Sequence, residues 1–195
     1  MKPFRTIVMD PPWPERGAGK CKRGADRHYP LIRADAMAPV ILLSGVWRPA
    51  RDAHLYMWVT NNYLPAGLRL MGDLDFRYVT NLCWAKDRSG LGQYWRGQHE
   101  LCLFGVRGNG YAVRTDRRDL TTLVDDYEVT ALGEPRSAHS AKPAAFRELI
   151  EARSEGPYLE MFAREERDGW TVWGNQVPDP SMDERQEVLF VQDSV

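Results

Sequence analysis

The chain has 195 residues, 43% of them hydrophobic and 27% charged, the make-up of an ordinary globular domain. Lysine and arginine total 26 against 27 aspartates and glutamates, so the formal net charge is −1. That balance excludes a histone-like basic tail or wholesale coating of polyanions, but leaves room for a local basic groove.

A fold of this size buries roughly 70% of its unfolded surface and needs no disulfide or metal staple. The three cysteines, Cys21, Cys83 and Cys102, are far apart and odd in number, with no C-x-x-C pair. They argue against a disulfide framework and for a reducing, cytoplasmic setting. The opening MKPFRTIVMDPPW meets acidic and proline residues before a signal-peptide core can form. The longest apolar run, about Ala36 to Trp47, falls short of the ~20 residues of a membrane helix.

In chain order, Phe4 to Met9 reads as a buried strand that stops at Asp10-Pro11-Pro12. From Pro14 to Arg33 the chain carries six lysines or arginines against two acids, and is expected to be a basic loop. Asp35 to Trp47 reads as a helix with Asp35 as N-cap. His54 to Thr60 is a strand, Leu64 to Leu74 a helix, and Arg77 to Ala85 and Glu100 to Val106 are further strands. Gly108 to Pro135, rich in Gly, Arg and Asp, is expected to be a long loop. Lys142-Pro143 opens a helix over Ala144 to Arg153, since proline suits a first helical turn. Tyr158 to Phe162 and Thr171 to Trp173 close the fold as strands. The pattern implies one α/β domain over residues 1–178 with a largely parallel sheet, followed by an acidic tail over 179–195.

Some signals fail on inspection. A phosphate loop ending at Gly19-Lys20 would need Gly at 14 and Ser or Thr at 21, where Pro14 and Cys21 stand. Gly108-Asn109-Gly110 begins a dinucleotide fingerprint, but Val113 breaks it. The four histidines form no H-E-x-x-H pair, so no metal site is expected.

The informative segment is Asp10-Pro11-Pro12-Trp13, at the carboxyl end of the first strand, where open α/β sheets gather ligands. The prolines withhold N–H donors and leave their carbonyls beside the Asp10 carboxylate. Acceptors without donors suit an amino group such as the N6 amine of adenine. Two acceptors holding its hydrogens out of the base plane would localise the nitrogen lone pair toward an electrophile, and a methyl donor placed in line would complete the reaction. Trp13 offers a flat face on which a base could stack. Trp58, Trp84 and Trp173 sit within strand patterns and read as core rather than site.

D-P-P-W is followed in fixed order by Tyr29, Trp58-Val59-Thr60-Asn61, Gly97-Gln98-His99-Glu100, His139-Ser140-Ala141-Lys142-Pro143 and Trp173-Gly174-Asn175-Gln176. This series resembles the S-adenosylmethionine-dependent N6-adenine methyltransferase family named after the seventy-kilodalton subunit of the mRNA adenosine methyltransferase, over about Phe4 to Val177. The resemblance implies a Rossmann-like methyltransferase with permuted motif order, S-adenosylmethionine as cofactor, and adenine in DNA or RNA as substrate.

It further implies that Asp10 and the Pro11 carbonyl grip the amine, Pro12 shapes the turn and Trp13 flanks the base. Tyr29 and Glu100 would lie near the substrate. Lys142 would face the cofactor's carboxylate end, Arg164 and Glu166 its ribose, and Asn175 and Gln176 ribose and adenine. Glu166-Arg167 departs from the His-Asn of some relatives, which weakens the role of Glu166. The attachment of the basic loop to D-P-P-W points Lys20, Lys22 and Arg23 at nucleic-acid phosphates. The compact chain favours DNA over RNA, and relatives of this kind commonly pair, so a homodimer is possible. Two rival readings are a catalytically silent nucleic-acid-binding partner in a heterodimer and a methyltransferase for a small-molecule or protein amine. An intact Asp10 argues against the first, and the basic loop against the second.

Overall fold

The six residues of β1 (Phe4–Met9) are almost wholly buried, as in a strand covered on both faces. In the computed structural model, which describes residues 2–14, 31–90, 94–125, 142, 145–174 and 177, β1 lies near the middle of a seven-stranded sheet. The other elements are α1 (Met37–Leu42), β2 (Pro49–Val59), α2 (Leu64–Asp73), β3 (Arg77–Ala85), β4 (His99–Arg107), β5 (Leu123–Asp125), α3 (Ala145–Arg153), β6 (Tyr158–Met161) and β7 (Trp170–Trp173).

The sheet order is β5-β3-β4-β2-β1-β6-β7. β4 runs antiparallel to β2 and β3, and the remaining neighbours pair in parallel. Every strand but β4 therefore points the same way, and their carboxyl ends share one edge with the start of β4. The expectation of a largely parallel sheet holds, with β4 reversed.

Alternation along the strands feeds two apolar layers. Ile7, Met9, Leu55 and Met57 face one way and pack with Met37 and Ile41 of α1 and Leu70 and Met71 of α2. Val8, Tyr56 and Trp58 face the other way and pack with Phe146 and Ile150 of α3. Gly67 lets α2 approach the sheet, since a Cβ there would stand 3.1 Å from Val59 and 3.2 Å from Leu103.

Three differences from the sequence reading exceed a single residue. The helix over 35–47 shrinks to α1 because Asp35 does not cap it: Ala36 is the N-cap, and Asp35 accepts from Arg33 Nε at 3.1 Å and Nη2 at 2.6 Å. The chain then leaves the helix and turns at Gly45, with φ +76°. β2 begins at Pro49 rather than His54, through an irregular pairing with Phe4 across a register shift. β5 arises inside the expected loop. Three residues with one inward side chain, Val124, are too short for periodicity to reveal.

Away from the carboxyl edge, a buried polar chain ties α3 to β2. His54 Nε2 lies 2.8 Å from the Gly110 carbonyl, and that oxygen can only accept, so Nε2 carries the proton. His54 Nδ1 then accepts from the Ser154 hydroxyl at 2.7 Å, and Ser154 Oγ accepts from Tyr56 at 2.7 Å. Burial pushes the imidazole down to about 4, which keeps it neutral and this chain intact.

Candidate active site

Asp10 is the first residue beyond β1. The prolines after it fix a turn that is closed by backbone bonds on both sides. Trp13 N–H donates to the Pro11 carbonyl at 2.8 Å, and Ile32 N–H to the Pro12 carbonyl at 3.1 Å. The sequence reading left both carbonyls free. Each carbonyl already accepts one backbone N–H and keeps one further lone pair, and both prolines are buried.

Trp13 also differs from expectation. It is 4% exposed, its ring stacks on Tyr63 at 5.7 Å between centroids, and its Nε1 donates to the Trp58 carbonyl at 2.9 Å. Tyr63 in turn donates to the Pro14 carbonyl at 2.8 Å. Trp13 therefore fastens the turn to the end of β2 and presents no open stacking face.

The charged side chains at this edge form one network. Lys142 Nζ lies 3.1 Å from Asp10 Oδ1, 2.9 Å from Oδ2 and 3.3 Å from Glu100 Oε2. Glu100 also pairs with Lys86, just past β3. Arg164, beyond β6, stands 3.9 Å from Asp10 Oδ2. Burial pushes the Glu100 carboxyl up, but the Lys142 and Lys86 charges together outweigh it and hold the group below its ordinary value. Burial likewise pulls Lys142 down, and the Asp10 and Glu100 charges more than reverse it. Lys142 lies 5.2 Å from the centre of the Trp58 ring, so Trp58 serves the core and the site at once. Trp84 and Trp173 are core, as expected.

Asp10, Lys142 and Arg164 open onto a cavity of about 210 Å³ between the ends of β1 and β6 and the first turns of α3. Phe146, Ile150 and Phe162 give it apolar walls. Phe162 has φ +61°, a left-handed conformation costly for a bulky side chain and found where surroundings over-determine the backbone. Gly174 supplies such surroundings: a Cβ there would lie 2.2 Å from the Ala163 carbonyl oxygen, so only glycine lets the end of β7 press on the 162–164 turn.

Three charged lining residues, Arg147, Glu160 and Glu165, escaped the sequence reading. Arg147 spans Glu160 at 2.9 Å and Glu165 at 3.0 Å. Glu160 Oε2 is buried without a hydrogen-bond partner among the described residues. An acid alternating with the buried Leu159 and Met161 of β6 was the available signal. Glu166, the residue matched by resemblance, is exposed and does not line the cavity. Tyr29, Lys20, Lys22, Arg23, His139, Asn175 and Gln176 lie outside the described residues. Among the described residues no group of His, Cys, Asp and Glu could hold a metal ion, and no helix is long and apolar enough to cross a membrane.

A larger open depression of about 510 Å³ lies at the opposite edge, beside Arg51, Arg77 and Arg107. Arg107 is already paired there with Asp75 at 3.0 Å, and the Asp10 network does not reach it.

The mixed seven-stranded sheet, covered on both faces and carrying its polar cavity at the carboxyl edge, is a Rossmann-like methyltransferase fold. The MT-A70 family model matches residues 4–176, and the chain belongs to the MT-A70 family. It is 26% identical to the human N(6)-adenine-specific methyltransferase METTL4 over 186 residues, covering 90% of this chain and 38% of that protein. It is 29% identical to the N6-methyladenosine RNA methyltransferase MTA1 of Cryphonectria parasitica over 192 residues, 89% of this chain and 52% of that one. It is 26% identical to the type II methyltransferase M.MunI of a Mycoplasma species over 196 residues, 91% of this chain and 79% of the other. The chain thus spans about two fifths of the human relative and half of the fungal one.

Proposed function

We propose that this protein transfers a methyl group from S-adenosylmethionine to the N6 amine of adenine in nucleic acid, with DNA placed ahead of RNA. The observation that carries the reading is the Asp10 carboxylate, set at the carboxyl end of β1 and opening onto the cavity. The names of the adenine-modifying relatives support it.

The lining fits the cofactor in kind. Lys142 and Arg164 suit a carboxylate, the unpaired Glu160 Oε2 suits a hydroxyl or ammonium donor, and Phe146, Ile150 and Phe162 suit apolar atoms. The cavity is smaller than the ~300 Å³ at which ligand pockets usually begin, so these residues would hold one end of the molecule. When bound, S-adenosylmethionine supplies an electrophilic methyl group on a positively charged sulfur.

The residues of the chain do the rest. Asp10 accepts one amine hydrogen and the Pro11 carbonyl the other, which turns the nitrogen lone pair out of conjugation with the ring. With a methyl donor held in the cavity, the amine nitrogen would have to shed a proton, and Asp10 is placed to take it. Lys142 takes one lone pair on each Asp10 oxygen, so the amine either uses another or displaces the ammonium. Glu100 keeps Lys142 within reach in either case. In duplex DNA the amine is hidden, so the base is flipped out or the strand is single.

The proposal extends to Tyr29 packing on the target base, to Lys20, Lys22 and Arg23 on phosphates, and to Asn175 and Gln176 on the cofactor. It also includes a cytoplasmic setting and a homodimer. The test is nucleoside mass spectrometry after incubation of the protein with S-adenosylmethionine and single- and double-stranded DNA and RNA. N6-methyladenine in the DNA arms is the expected result. Product only in the RNA arms overturns the order of substrates. No methylated adenine in any arm, with the cofactor bound, overturns the activity and favours the silent-partner reading.

A further inference from the structure

The hairpin between β3 and β4 leaves the sheet at the same edge as Asp10. β3 ends at Ala85, paired with His99, and Glu100 follows at the hairpin's root. The projection is pinned by its own bonds. Lys86 N–H donates to the Gln98 carbonyl at 2.9 Å, Gln98 Nε2 to the Lys86 carbonyl at 3.1 Å, and Gly90 N–H to the Gly97 carbonyl at 2.6 Å. Farther out stand Tyr94 and Trp95, 93% and 89% exposed. The other six tryptophans of the chain are buried or half-buried.

Two adjacent aromatics held in water have no role in packing this fold, and such exposure marks an interaction surface. We propose that Tyr94 and Trp95 form a stacking platform for unpaired bases flanking the target adenine. The proposal rests on the activity proposed above and adds a preference for single-stranded or locally opened nucleic acid.

Charge argues for that occupant. Arg88 and Arg96 are exposed on the same hairpin, Arg88 with 79% of its side chain in water, and Lys86 lies at its base. Asp87 is the only acid among the hairpin's described residues. Among the described residues of the hairpin, Ser89, Gly90, Gly97 and Gln98 complete the surroundings and add no apolar side chain. Flat aromatic faces among cations are the elements of sequence-tolerant single-strand binding, in which every base offers a face. Bases inside a duplex are already stacked and cannot use the platform. Lys142 bridges Glu100 at the hairpin's root to Asp10, so the hairpin and the Asp10 network share one edge of the sheet.

The test compares wild type, Tyr94→Ala/Trp95→Ala and Tyr94→Phe/Trp95→Phe. One probe is a thymidine oligonucleotide of about twelve residues, which contains no methylation target and spans a typical single-strand site. The other is an adenine-containing strand of equal length. Quenching of Trp95 emission in the wild type is expected on binding. The double alanine variant should bind both strands at least ~10-fold more weakly, while the phenylalanine variant keeps most of the affinity. KM for the single strand should rise in the alanine variant, with kcat at saturation within about twofold and cofactor binding unchanged. Unaltered affinity for the thymidine strand in the alanine variant overturns the platform. So does a wild-type dimer that the alanine variant converts to monomer, which assigns the face to a second copy. If the wild type binds both strands through these aromatics but methylates no adenine, the platform stands and the activity falls.

Discussion

Lys142 places one ammonium between two carboxylates, within 3.1 Å of both oxygens of Asp10 and 3.3 Å from Glu100 Oε2. An amine bound at Asp10 as proposed would meet a carboxylate that already accepts from Lys142. Exchange of Lys142 from Asp10 toward Glu100 and an incoming anion frees the acceptor without leaving an unpaired buried charge, which would be costly.

Asp10→Asn keeps the shape of the side chain but turns an amide donor toward either Lys142 or the amine. Methyl transfer should fall at least ~100-fold, the scale of a single preorganised polar contact, with the melting temperature little changed. Initial rates on an adenine oligonucleotide, beside a thermal melt, check this. A variant keeping more than a tenth of wild-type turnover contradicts the role given to Asp10.

Lys142→Met removes the shared cation and leaves Asp10 and Glu100 facing each other. Loss of its charge should let Glu100 rise from its depressed value, so that it keeps its proton to higher pH. A protonated Glu100 can donate its hydrogen to Asp10 in place of the amine, so the acid limb of the kcat profile should move to higher pH, with a lower plateau. A pH–rate series decides it: a lower plateau with an unmoved limb would leave Lys142 a cofactor contact only.

Much of this arrangement was legible in the chain. D-P-P-W after a short, mostly apolar run marked β1 and Asp10, whereas the pairing of Lys142 with Asp10 came from the structure, the resemblance having turned that lysine to the cofactor's carboxylate end. What escaped the sequence depended on tertiary partners. Trp13 could as well have been a stacking face, and only Tyr63 and the Trp58 carbonyl, 50 and 45 residues away, make it a brace. Asp35 has N-cap chemistry, yet Arg33 competes for its carboxylate. Glu160 and Arg147 looked like an unremarkable acid and base until the β6–α3 packing buried them together.

Gly174 carries a prediction about the cavity wall. Gly174→Ala would set a Cβ 2.2 Å from the Ala163 carbonyl oxygen and 2.7 Å from its nitrogen, both backbone atoms that cannot rotate away. The 162–164 turn must then retreat from β7, taking Phe162 and Arg164 with it. Stability should drop by about 1–3 kcal/mol, the usual cost of overpacking, and cofactor affinity should fall in parallel. Urea unfolding and calorimetry with S-adenosylmethionine test both parts. Undiminished cofactor affinity would mean that Arg164 does not depend on this contact.

The buried His54 chain predicts how stability responds to acid. Burial holds the folded imidazole at about 4, against about 6.5 when unfolded, with the Gly110 carbonyl opposing the shift and the Arg153, Arg5 and Arg114 charges adding to it. Between those values the unfolded chain binds the proton and the folded one does not, so stability falls as pH drops from about 6.5 toward 4. The loss should total about 3 kcal/mol, at roughly 1.4 kcal/mol per unit. Above pH 6.5 this contribution is fully present. Protonation at Nδ1 would make His54 a donor toward Ser154, so the Ser154 hydroxyl hydrogen would have to turn away and lose its acceptor in this buried chain. His54→Gln removes the titration and should flatten the slope of unfolding free energy in this window, while lowering stability at neutral pH through imperfect bonding to Gly110 and Ser154. Urea unfolding of both proteins at half-unit pH steps measures it. Equal slopes in the two proteins would show that carboxylates elsewhere, not His54, set the acid sensitivity of the fold.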